Sequence, residues 1–294
     1  MPGVDENGLS AKVLEQEAEI EFLKGEVGRL KARLSGGEGS VRAMLRRRGL
    51  RIFKEEPDAD VIAPKYPKRG LSDEFYALMK KYSFRLYLRD VIKSREGFRP
   101  AELVRYSSLP VVRGYTEFLR EAGVLTAGEG GVYALSSPVK SFGPTLEWFV
   151  AEVFRREFMA DAVWGVRFKD TEVGGDYDLL AAVEGRLVLG EVKSSPPKQI
   201  YDSEIRAYIE RFSLLMPDIS LFIMDTELRM KDKIVALFEA VLPETPFRGL
   251  PVARLKAELF HIDGRIFIIN SKDSLIANIG AVLGWYLKRS TNAA

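Results

Sequence analysis

The 294-residue chain contains no cysteine and a single histidine, His261. The first absence excludes disulfides and thiolate metal sites. The second leaves any metal site to oxygen ligands, which suit a hard cation such as Mg²⁺ or Mn²⁺. No apolar run approaches the roughly 20 residues that span a bilayer. The N-terminus, Met1 to Glu6, lacks the basic-then-apolar layout of a signal peptide. The sequence therefore predicts a cytoplasmic protein with no membrane partner. An excess of one charge is also missing: 44 basic residues face 42 acidic ones, a net charge of +2. A nucleic-acid role must then rest on local basic patches. What the chain does have is 46% hydrophobic residues, enough for a substantial core in one large or two modest domains.

The stretch from Gly174 to Lys193 concentrates charge on apolar strands. Two apolar runs, Leu179 to Val183 and Leu187 to Val192, flank Glu184-Gly185. A two-residue turn ending in glycine is a hairpin signal, because such turns need positive φ. If Val183 faces Arg186, the pairing continues outward to put Asp178 opposite Glu191 and Asp176 opposite Lys193. Alternation along a strand then projects all four side chains from one face. Like charges placed opposite one another destabilise a strand pair, a cost that a bound cation or phosphate would relieve. The alternative is a solvated surface hairpin with Lys193 neutralising its neighbours.

Residues Leu9, Val13, Ile20, Leu23, Val27, Leu30 and Leu34 keep heptad spacing, with Gln16 at the one polar seam position. This predicts a coiled coil over residues 1–35 that pairs chains into a homodimer; a single amphipathic helix docked on its own domain is the alternative. Residues 36–72, rich in glycine and proline, read as a linker. Within it, Arg46-Arg47-Arg48-Gly49-Leu50-Arg51 has the charge density to hold phosphates, although most charge runs are simply solvated.

Residues 73–140 read as a helix over 84–94, a short proline-opened helix over 100–106, a third helix over 110–121, and two short strands around the glycine-rich turn 127–131. This order resembles the winged helix-turn-helix family. The resemblance implies duplex DNA as partner, with Arg113, Tyr115, Thr116 and Arg120 of the third helix as contacts. From residue 141 to 294 helices and strands alternate. A helix from Pro144 buries 146, 149, 150, 153 and 154, and Glu147 lies beside that buried side. The hairpin follows, then a helix over 202–215, a buried strand over 219–225, a helix over 230–242, a second hairpin around Asp263-Gly264 and a last helix over 273–287. Helices on both faces of a mixed sheet make this an α/β domain.

Phosphodiester hydrolysis needs an oriented water and neutralisation of charge on the phosphate, which carboxylate-held divalent cations supply. A neighbouring lysine stabilises phosphate charge or positions the water. Asp178 leading into an apolar strand, Glu191-Val192-Lys193 closing the next, and Glu147 on the preceding helix together resemble the PD-(D/E)xK nuclease superfamily. That resemblance implies a restriction-endonuclease-like fold and a metal-dependent DNA nuclease. Asp178 and Glu191 would be metal ligands, Lys193 the catalytic lysine, Glu147 an accessory acid, and Mg²⁺ or Mn²⁺ the cofactor. Tyr177 stands where the superfamily name has proline. Asp176 competes with Asp178, Glu152 with Glu147, and Gln199 and Tyr208 are similar to the glutamine and tyrosine of the RecB-type branch. A non-catalytic DNA-binding or scaffold protein on the same fold is the competing function. His261, in an apolar strand, reads as structural, and Trp148, Trp164 and Trp285 read as core.

Overall fold

A computed structural model describes residues 40–57, 60–64, 70–169 and 175–291, together with a few positions between 16 and 23. The expected coiled coil lies almost wholly outside the described residues. Ile20 and Leu23, two of its seam positions, are helical and about half exposed. Among the described residues, no helix is long and apolar enough to cross a membrane.

An eight-stranded mixed sheet organises the chain. Its strands are β1 (Ile52–Lys54), β4 (Asp161–Phe168), β5 (Tyr177–Val183), β6 (Arg186–Lys193), β7 (Ile219–Met224), β8 (Val252–Lys256), β9 (Leu259–Ile262) and β10 (Ile266–Asn270). The order is β1-β4-β5-β6-β7-β10-β9-β8. The pairs β6/β7 and β7/β10 are parallel and the other pairs antiparallel. The central strands are apolar on both sides, as a sheet covered on both faces requires. One face carries α5 (Gly143–Glu157) and α8 (Leu275–Thr291), and the other α1 (Val41–Arg47), α6 (Asp202–Leu215) and α7 (Ala236–Val241). This is the mixed sheet flanked by helices that the sequence predicts. In α5 the residues Leu146, Phe149, Val150, Val153 and Phe154 are fully buried, as their spacing predicts.

The central hairpin keeps its predicted register. Val183 pairs with Arg186, and the ladder runs outward to Leu179 and Gly190. Both turn residues have positive φ, 47° at Glu184 and 72° at Gly185, so a Cβ at Gly185 would strain the turn that sets the register.

Between α1 and α5 lie α2 (Leu71–Met79), α3 (Tyr82–Lys93), a 3₁₀ turn (Pro100–Leu103), α4 (Leu109–Glu121) and a two-stranded ribbon of β2 (Leu125–Ala127) with β3 (Tyr133–Leu135). These helices and the ribbon come in the order the sequence predicts, and α2 precedes them. This module shares one apolar core with the sheet. Phe75 of α2 packs against Phe84, Phe118 and Trp148, with ring centroids 5.8, 6.5 and 5.6 Å away. Phe75 and Phe84 are fully buried, which contributes roughly 1.5–3 kcal/mol each.

Segment 36–72 is not simply a linker. Ser40 Oγ accepts the Ala43 N–H and caps α1, whose Val41, Met44 and Leu45 are buried at helical spacing. β1 then pairs with β4 as the edge strand of the sheet. The arginine run masked three apolar anchors, because charge dominated the local composition.

The deepest ion cluster joins module and sheet. Arg85 of α3, 1% exposed, donates from Nε and Nη2 to Asp225 at 2.9–3.1 Å. Arg89 Nη2 and Ser271 Oγ reach the same carboxylate at 2.5 and 2.6 Å. Burial alone would raise the Asp225 pKa, yet Arg85 and Arg89 hold it below the usual carboxylate range. Removing one partner would strand a buried charge. Asp225→Ala is expected to destabilise the protein by about 3–5 kcal/mol, read as a fall in the urea midpoint; an unchanged midpoint would mean the cluster contributes nothing net.

Candidate active site

The site forms where the β5–β6 ladder ends. Beyond the Leu179–Gly190 pair, the Asp178 carboxylate accepts the Val192 N–H at 2.7 Å and ties the two strands by a side chain. Glu191, 2% exposed, and Lys193 follow at alternate positions of β6 and share a face. Lys193 Nζ lies 3.0 Å from Glu191 Oε1 and 2.9 Å from Glu204 Oε2. Arg211 Nη2 donates to Glu191 Oε2 at 2.7 Å. Both oxygens of Glu191 are thus engaged by cations.

Glu147 enters from the first turns of α5. Gly165 lies between the paired residues Trp164–Leu179 and Val166–Tyr177, level with Asp178. A Cβ at Gly165, whose φ is +56°, would come within 2.6 Å of Pro57 Cδ and 4.0 Å of Glu147 Oε2. Glycine at this position lets both the 52–57 segment and Glu147 close on the cluster. Glu152, the alternative acid, is committed elsewhere: it accepts from Arg155 and Arg156 at 3.0 and 2.6 Å.

Four carboxylates, Glu147, Asp178, Glu191 and Glu204, therefore face two cations, Lys193 and Arg211. The surplus negative charge appears in the acidities. Burial, then Glu191 and Glu147, raises the Asp178 pKa well above its usual value. Burial, then Asp176 and Glu191, pushes Glu147 up to about 7. For Lys193 burial favours the neutral amine, but Glu191 and Glu204 outweigh it and raise its pKa. Arg211 behaves in the same way through Glu191. Among the described residues, no three acidic or histidine side chains approach closely enough to form a complete metal cage. The donor chemistry nevertheless fits a hard cation. The candidate ligand atoms are all oxygen, four carboxylates face two cations, and Mg²⁺ commonly takes one or two carboxylates while keeping several waters.

The predicted residues Asp178, Glu191, Lys193 and Glu147 therefore converge. Asp176 does not meet Lys193; its Oδ2 accepts from Arg167 Nη2 at 2.8 Å on the exposed edge, since the ladder stops before the two could pair. Two further residues belong to the site, Glu204 and Arg211. Glu204, Tyr208 and Arg211 stand at i, i+4 and i+7 on α6, one stripe facing β6. That spacing was the signal available in the sequence. Tyr208 itself is core, its hydroxyl 2.5 Å from Ser220 Oγ.

On α4, Arg113 and Arg120 are exposed, whereas Tyr115 and Thr116 are corrected to core positions. The Tyr115 hydroxyl lies 3.0 Å from Ser83 Oγ. Thr116 Oγ1 donates to the Val112 carbonyl and lies 2.8 Å from the Tyr87 hydroxyl. Their helical positions turn toward α3, so neither reaches a nucleic acid. Arg120 pairs with Glu117 one turn earlier. His261 stacks on Trp285 with ring centroids 5.0 Å apart, away from the acidic cluster in the fold.

Glu147 ties stability to pH. The folded chain keeps its proton up to about 7, whereas an unperturbed glutamate releases it near 4.5. The stabilisation it contributes is full below 4.5 and lost as pH rises through 7. In metal-free buffer, wild type should lose about 2 kcal/mol over that window relative to Glu147→Gln, after discounting for partial solvent screening. Urea midpoints across the window measure this, and parallel profiles for the two proteins would contradict it.

Among solved structures, the chain is similar to Can2 from Sulfobacillus thermosulfidooxidans in complex with cyclic tetra-adenylate. The similarity covers 84% of this chain and 60% of that one, at 13% identity and a TM-score of 0.46. It is also similar to protein VC1899 from Vibrio cholerae, over 68% of this chain and 55% of that one, at 15% identity and a TM-score of 0.43. The chain thus spans little more than half the length of both. No family model matches the sequence, and no curated protein matches it.

Proposed function

We propose that the protein is a metal-dependent DNA nuclease that hydrolyses phosphodiester bonds at the end of the β5–β6 hairpin. The observation that carries this reading is the gathering of Glu147, Asp178, Glu191 and Glu204 around Lys193, with the pKa values of Asp178 and Glu147 both raised above their usual range. Asp178 and Glu191 are the residues to hold Mg²⁺ or Mn²⁺. When bound, such a cation supplies a more acidic water and neutralises phosphate charge. The chain's own groups have separable tasks. Lys193 stays protonated between Glu191 and Glu204, which suits it to stabilise charge on a phosphate oxygen rather than to act as a base. Glu147, titrating near neutral pH, is matched to giving or taking a proton. Arg211 orients Glu191 from the α6 side.

In this reading the winged module binds duplex DNA through the exposed Arg113 and Arg120, and the N-terminal heptads pair two copies. The half-exposed Ile20 and Leu23 at seam positions support that pairing. A second reading, a non-catalytic DNA-binding or scaffold protein, is favoured by one observation: Lys193 and Arg211 already neutralise Glu191.

Cleavage separates the two. With Mg²⁺ or Mn²⁺, wild type is expected to cut at least one of single-stranded, duplex, flapped or branched DNA. EDTA should abolish cutting, and Glu191→Ala or Lys193→Ala should lower the rate by at least ~10²-fold. A wild type that cuts nothing, or variants that cut equally well, would leave the scaffold reading. For the module, Arg113→Ala should reduce the slope of log affinity against log salt on duplex DNA by about 0.9. An unchanged slope would remove Arg113 from the interface.

A further inference from the structure

The edge of the sheet carries a cleft that the proposed chemistry does not use. Its volume is about 330 Å³, and α1, the following turn and β1 form its walls, a size at the lower end for small organic ligands. Arg46, Arg51 and Lys54 line it, all exposed and without an ion-pair partner among the described residues. Phe53 also lines it and is 72% exposed. An aromatic ring so placed on an edge strand gains nothing from the core. Arg42 closes one end, its Nη2 2.5 Å from Glu55 Oε1. Glu55 Oε2 is buried and has no hydrogen-bond partner, a cost of roughly 1–3 kcal/mol or more for a charged group. The cleft therefore offers unpaired cations and a ring face without a stacking partner.

One chemical unit matches both. A nucleotide brings a phosphate for the cations and a base to stack on Phe53. The neighbouring backbone argues for a nucleotide within a strand. Lys54 pairs with Arg167 across the β1–β4 ladder. Residues 52–57 then run along the sheet edge until Pro57 packs on Gly165, beside Glu147. The cleft and the carboxylate cluster are thus two ends of one short segment. We infer that this cleft binds one nucleotide of a single DNA strand and guides that strand along residues 52–57 toward Asp178 and Glu191. The inference rests on the nuclease reading only for where the strand leads; the binding itself is independent of it.

The test is fluorescence anisotropy with a labelled single-stranded 12-mer and the full chain in EDTA, so that cleavage plays no part. Phe53→Ala should weaken binding roughly tenfold. Arg46→Ala/Arg51→Ala/Lys54→Ala should lower the slope of log affinity against log salt by about 2, since each lost contact to a single strand removes about 0.7. Because the exposed side chains carry no core packing, unchanged thermal melts establish that the variants fold. Wild-type binding by both the Phe53 and the triple variant would overturn the inference. So would a salt effect without any Phe53 effect, which would mean diffuse charge attraction only. Displacement of the 12-mer by a free mononucleotide at equal nucleotide concentration would overturn the strand assignment. Binding without cleavage would count against the nuclease reading and leave this one standing, and cleavage with variant-insensitive binding would do the reverse.

Discussion

The two-residue turn at Glu184-Gly185 is the constraint on which the candidate site depends. A one-residue slip in a strand pair exchanges its faces, and here that would put Glu191 and Lys193 against α5 and remove Asp178 from their side. The turn prevents this because both residues sit at positive φ, a geometry that matches the twist of the flanking strands. Once the register holds, the ladder stops where a charge is tolerable. Asp178 takes over the strand-joining role by accepting the Val192 N–H, so the first acidic residue of the site also terminates the hairpin.

Around that hairpin the protein builds an electrostatic imbalance. Glu191 is buried and doubly paired, while Asp178 and Glu147 are left with raised pKa values. The Arg85–Arg89–Asp225–Ser271 cluster has the opposite balance, two guanidiniums around one carboxylate, and there the carboxylate's pKa is held down. The two networks are one hydrogen bond apart, because the Asp225 N–H donates to the Lys193 carbonyl at 2.9 Å. The module of residues 71–135 is thereby anchored to the strand that carries Glu191 and Lys193. With Phe75 between module and α5, it shares the packing of the sheet domain.

The sheet edge adds a third element. α1 and β1 cover the outer strand and carry cations that the core does not use. In sequence this region reads as linker because glycine, proline and arginine dominate it. In the fold its few apolar residues, Val41, Met44 and Leu45, are enough to seat it, since a short helix needs only one turn of buried contact when tertiary packing supplies the stability.

Local chemistry determined a good deal by itself. The Glu-Gly turn set the register of Val183 against Arg186, and the 146-149-150-153-154 spacing set the buried face of α5. The alternation of Glu191 and Lys193 set their common face. Each is a matter of periodicity or φ within a few residues, so the sequence carries it. Other features depended on segments far apart in the chain. Asp176 found Arg167 instead of Lys193, because the ladder ended first. Tyr115 and Thr116 turned into the core, because α3 packs on the side of α4 that carries them. Arg211 and Glu204 joined the site only when α6 was laid across β6, and Glu152 was taken by Arg155 and Arg156. Which charge meets which is fixed by the rotation of one element against another, and that rotation is set by the packing of two apolar cores rather than by any short stretch of sequence.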